Sequence, residues 1–157
     1  MAAMDIAGAL GNVKTMLSGL TEWQAICSVD TAAKALERIH EGGVEETTAN
    51  TLCPCIILDV NGFDTMWSPS RLHANLAIEI RTEVVAPSDK CTHQEQKVWA
   101  LQQLGNLMAG IAGSVNGSGQ IMIEGLNVTV APGLIEPDEN HGRTEWGFVL
   151  ELVVRLI

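Results

Sequence analysis

Hydrophobic positions in this chain follow two different periods. Near the N-terminus, Ile6, Leu10, Val13, Leu17 and Leu20 step by four and three and form one apolar stripe, which predicts a helix over Ala3 to Leu20. Gly8, Gly11 and Gly19 weaken it, so its stability must come from packing. Trp23 to Cys27 reads as a short extended piece. Asp30 is a candidate N-cap for a second helix, Thr31 to Glu41, closed by Gly42-Gly43. The acidic, threonine-rich stretch Val44 to Leu52 reads as a solvated loop.

Alternation takes over in the second half. Cys55 to Val60 is a short β-rich run that meets a turn signal at Asn61-Gly62. From Ala74 to Val85, Leu76, Ile78, Ile80 and Val84 point one way, and Glu79, Arg81 and Glu83 the other, as in a half-buried strand. Pro87 ends it. Thr92 followed by Glu95 is a capping box opening a long helix, whose expected apolar face is Val98, Leu101, Leu104, Met108, Ile111 and Val115. Strands over Ile121 to Val130 and Trp146 to Ile157 complete the chain.

The order is two helices followed by β-β-α-β-β. It predicts an α+β fold: a mixed sheet of about four to five strands with helices packed mainly on one face. We expect one domain over 1–157, with a helical N-terminal part (1–43) and a β-β-α-β-β part (54–157). If the long helix joins parallel strands, the connections Asn61–His73 and Ala131–Glu145 lie at opposite ends of the sheet. Both are read as long loops.

Composition narrows the functional classes. The 157 residues are 46% hydrophobic and 18% charged, a folded profile, and they carry a formal charge of −10. Such a field repels phosphates, which argues against nucleic-acid binding through a basic face. No segment reads as a signal peptide or a membrane span. Cys53 and Cys55 are too close for easy pairing, so the four cysteines read as thiols made in a reducing cytoplasm.

Candidate contact residues lie in three places. Phe63, Met66 and Trp67 put large apolar groups in the first long connection, as an anchor for a partner or as a fold-back onto the core edge. Glu136, Asp138 and Glu139 make the second connection acidic, either simply solvated or an arm that orders on a partner. Glu79, Arg81, Glu83, Glu151 and Arg155 mark the reverse sheet face, where charges pair locally or meet another subunit.

Candidate chemistry is sparse. Cys53, Cys55, Cys91 and His93 are suitable zinc ligands by type, but Cys-x-Cys and Cys-x-His are narrower than the usual ligand spacing. No nucleophile elbow or phosphate-binding loop is present, and His40, His73, His93 and His141 stand in unrelated contexts. A zinc-stabilised cytoplasmic domain and a small hydrolase are the alternatives from other classes. We expect no enzyme, no catalytic residues and no cofactor.

This succession of elements resembles tailed-bacteriophage tail terminator proteins, also called tail-completion or neck proteins. The residues carrying the likeness are the helical start Ile6 to Leu20, then Pro54-Cys55-Ile56-Ile57-Leu58, then Asn75-Leu76-Ala77-Ile78-Glu79-Ile80. They continue with Gln94-Glu95-Gln96 opening the long helix, and Trp146-Gly147-Phe148-Val149-Leu150-Glu151-Leu152 closing the sheet. The resemblance implies a virion protein of the tail or neck, made in the host cytoplasm. It implies a ring, commonly a hexamer, that caps the tail tube and joins it to head-completion proteins. Partners would be copies of itself, the tail tube protein and neck proteins, with DNA passing through without specific binding and with no membrane. Another neck or head–tail joining component is the alternative within the virion.

Overall fold

The computed structural model describes residues 5–42, 54–68, 71–118, 122–129, 138–140 and 143–156; side chains are described for 5–42, 54–62, 75–114 and 145–155. Helix α1, Ile6–Gly19, opens where Asp5 Oδ1 accepts a hydrogen bond from the Gly8 amide at 2.7 Å. Its expected stripe is the buried one: Val13, Leu17 and Leu20 enter the core, with Ile6 and Leu10 packed at its margin. The stretch expected to be extended is instead helix α2, Thr21–Cys27. Seven residues are too few for an autonomous helix, and packing supplies the stability that propensity does not. Trp23 and Ile26 enter the core, and Trp23 Nε1 donates to the Ala35 carbonyl at 3.2 Å.

The second predicted helix is cut short. Helix α3 is only Ala32–Leu36, and Thr31 caps it by accepting from the Lys34 amide at 3.3 Å. Asp30 pairs with Lys34 instead, at 2.9 Å. The remainder becomes strand β1, Ile39–Glu41, parallel to strand β2, Cys55–Ser68. The N-terminal part therefore contributes an edge to the sheet. The predicted loop Val44 to Leu52 lies outside the described residues.

Strand β2 does not stop at Asn61-Gly62. The register shifts between Val60 and Gly62, and β2 continues to Ser68, antiparallel to β3, Arg71–Val85. Gly62 has φ +149°, a backbone geometry that a side chain resists, and the extra residue is a β-bulge. The expected loop Asn61–His73 is thus the far half of a long hairpin, in which Ser68 pairs with Arg71.

Helix α4, His93–Ser118, crosses from β3 to β4, Met122–Thr129. Its capping box forms: Glu95 Oε2 accepts from the Thr92 amide at 3.3 Å, and Thr92 Oγ1 accepts from the Glu95 amide at 3.1 Å. The buried face is Ala100, Leu104, Leu107 and Ile111. Val98 and Leu101, expected on it, are 44% and 42% exposed. Ala100 and Gly110 permit a close approach to the layer beneath; a Cβ at Gly110 would stand 2.6 Å from a Glu22 carboxylate oxygen of α2.

The closing strand β6, Arg143–Leu156, lies between β3 and β4 and is antiparallel to both. β3 and β4 are therefore parallel, as a helical crossover requires, but one strand apart. A three-residue strand β5, Asp138–Asn140, pairs along the same side of β6 as β4. Among the described residues the mixed sheet has six strands, in the order β1-β2-β3-β6-β4, with β5 beside β6. The fold is α+β. One hydrophobic core joins the four helices to one sheet face through Ile56, Leu58, Leu76, Ile78, Ile80, Val84, Trp146, Phe148, Leu150, Leu152 and Val154. Among the described residues, no helix is long and apolar enough to cross a membrane.

Candidate assembly interface

The sheet face away from the helices is composed by strand alternation. In register across it, β2 supplies Cys55, Ile57 and Asp59; β3 supplies Asn75, Ala77, Glu79, Arg81 and Glu83; β6 supplies Glu145, Gly147, Val149, Glu151, Val153 and Arg155. Most are half-buried within the single chain, while Cys55, Ile57 and Glu145 are buried. The expected reverse-face residues Glu79, Arg81, Glu83, Glu151 and Arg155 are all brought together here. Asp59, Asn61 and Glu145 were not among the expected residues, although the alternation that turns Ile56 and Leu58 inward in the structure also turns Asp59 outward.

Charge is only partly balanced across this face. Arg81 Nη2 stands 3.5 Å from Asp59 Oδ2, so the local pairing considered from sequence exists there. Asn61 Nδ2 donates to Glu79 Oε2 at 3.0 Å, and the Cys55 thiol donates to Glu83 Oε2 at 3.8 Å. Glu79 and Glu151, however, are directly opposed across β3 and β6. Like charges in that position weaken a sheet. Beside them Ala77 pairs with Val153, and Arg81 with Val149, so small apolar groups separate the charges.

The other sequence-predicted residues are distributed as follows. Phe63, Met66 and Trp67 belong to strand β2, opposite Leu76, His73 and Leu72, rather than to a loop. Asp138 and Glu139 belong to β5, opposite Glu145 and Thr144, while Glu136 and His141 lie outside the described residues. The two connections do sit at opposite ends of the sheet, since β5 flanks the end of β3 and the hairpin flanks its start.

The three described zinc candidates, Cys55, Cys91 and His93, are not assembled in one place. Cys55 shares the outer face with Glu83, whereas His93 packs edge-on against Trp146 of the inner face, with ring centroids 6.2 Å apart. Trp146 Nε1 also donates to Gln96 Oε1 at 3.1 Å, which ties the start of α4 to β6. Cys91 is exposed, and Cys53 lies outside the described residues. Among the described residues, no three His, Cys, Asp or Glu side chains converge on a point where a metal ion would sit. Burial pushes the Cys27 thiol up to about 12, with Arg38 opposing the rise and Cys55 adding to it. No protein-family model matches this chain, and no curated protein matches it.

Proposed function

We propose that this chain is a structural virion subunit, a tail terminator. Copies of it would assemble into a ring that caps the tail tube and offers the joining surface for head-completion proteins. The observation that carries this reading is the outer sheet face. Three long strands build it, most of its described positions are half-buried with no described helix over them, and it mixes Ala77, Val149 and Val153 with the directly opposed acids Glu79 and Glu151. A surface of that composition suits protein contact better than solvent alone. The likeness in element order supports the same role. So does the charge of −10, because an acidic lumen lets DNA pass without adhering. The role requires no catalytic residue and no cofactor.

The test is tube growth. Tail-tube protein polymerised with and without the purified chain is measured by negative-stain microscopy. Tubes that stop short and carry extra ring-shaped density at one end are the expected result. Tubes of unchanged length with bare ends would contradict the role.

A further inference from the structure

From Val98 to Ser114, helix α4 carries no charged residue at all. Its outward positions in that stretch are Val98, Leu101, Gln102, Gly105, Asn106, Ala109, Ala112 and Gly113. An outward helix face in an 18% charged protein ordinarily carries Lys or Glu. Val98 and Leu101 are among the few large hydrophobic side chains left exposed in the described structure. Beside Val98 an open cleft of about 240 Å³ runs between Lys90, Gln94, Glu95, Trp99 and Gln102. Neighbouring α1, which packs against the same core, adds the uncharged outward positions Ala7, Gly11 and Thr15.

We infer that this uncharged face of α4 is a contact between copies of the chain, an inference that rests on the ring reading above. Charge selects the occupant. Two copies each carrying −10 repel over most of their surfaces, so a contact between them is favoured where acid is absent, as it is from Val98 to Ser114. A basic partner would be met by acidic residues, and a lipid surface by basic ones; from Val98 to Ser114 the helix has neither, and the cleft beside it carries one of each sign, Lys90 and Glu95. Gly105, Ala109 and Gly113 let a facing element come close, and Val98 and Leu101 supply apolar area.

Size sets the expected strength. The span from Val98 to Gly113, at about 1.5 Å per residue, gives a strip about 24 Å long, and at a helix width of about 10 Å it covers about 240 Å². A stable interface buries about 800 Å² per partner, so α4 alone gives a weak, concentration-dependent contact. It becomes firm when α1 joins it, and when ring closure gives every subunit two neighbours.

The experiment compares the full chain with Val98→Glu/Leu101→Glu by sedimentation velocity over a dilution series, together with tube-end binding by microscopy. Both side chains are exposed, so circular dichroism and melting should match the parent. The expected result is concentration-dependent association in the parent and at least a tenfold weakening in the variant. A variant that associates like the parent overturns the α4 contact and leaves the ring reading standing. A variant that associates normally but fails to bind tubes assigns the face to a different protein, and also overturns it. A parent that is monomeric in solution and at tube ends overturns both.

Discussion

Thr82 sits in the centre of β3, fully buried, with Ile56 and Phe148 as its register partners. Its hydroxyl has no hydrogen-bond partner among the described residues. A buried hydroxyl left unpaired loses about 1–3 kcal/mol of hydration with nothing in return. Thr82→Val keeps the shape, replaces the hydroxyl by a methyl group and retains a residue that favours strands. The expected gain is about 1–2 kcal/mol, allowing for imperfect fit of the new methyl. For a chain of this size each kcal/mol raises Tm by about 2–4 °C, so an increase of about 2–8 °C should be seen. Urea unfolding followed by tryptophan fluorescence is a suitable assay, because Trp23 and Trp146 are both buried. Thr82→Ser is the control: it keeps the hydroxyl, removes the methyl, and should lose about 1 kcal/mol. A loss of stability in Thr82→Val would refute the reasoning and show that the hydroxyl is bonded in the folded protein.

Three further outcomes follow from local geometry. Thr92→Ala removes half of the capping box and should lower stability by about 1 kcal/mol in thermal melts, with an unchanged value counting against the cap. Gly62→Ala forces a side chain onto a backbone with φ +149° and should destabilise by about 1–3 kcal/mol, whereas a neutral result would mean that no such bulge exists. Cys27 is protonated in the folded state up to about 12, against 9.0 for a free thiol. Its contribution is therefore complete below pH 9 and is lost as pH rises toward 12, and Cys27→Val should flatten the alkaline fall of Tm. An identical fall in both proteins would contradict that source.

The sequence carried the sheet's inner face well and its interruptions poorly. Leu76, Ile78, Ile80 and Val84 alternate without a break, so β3 was legible, as was the cap at Thr92 and Glu95. In β2 the bulge moves the alternation from even to odd positions: Ile56 and Leu58 before it, Phe63, Thr65 and Trp67 after it, in register with Leu76, Ala74 and Leu72. A period-two reading fails at that slip, and Asn61-Gly62 imitates a turn. β1 was illegible because three residues gain strand character only from a distant partner. Insertion of β6 between β3 and β4 is likewise a long-range fact that local patterns do not encode.

Helix α4 misled for a more informative reason. It is apolar on two sides: the expected stripe held at Leu104 and Ile111, but its first turn took the larger Val98 and Leu101, where the core selects Ala100 and Leu107. Ala100 is small enough to lie close to the neighbouring layer, which a scan for large residues overlooks. Of the candidate surface, the charged positions of β3 and β6 were readable, and Asp59 and Glu145 were not. Asp59 follows the apolar run Ile56-Ile57-Leu58, and Glu145 belonged to a presumed loop.

Self-assembly is the property on which the proposed role depends, and native mass spectrometry of the chain, alone and released from capped tail tubes, tests it most directly. A single closed stoichiometry, the same in every preparation from tube ends, is the predicted result, with six copies the number the family resemblance implies. Monomer in both samples would contradict it.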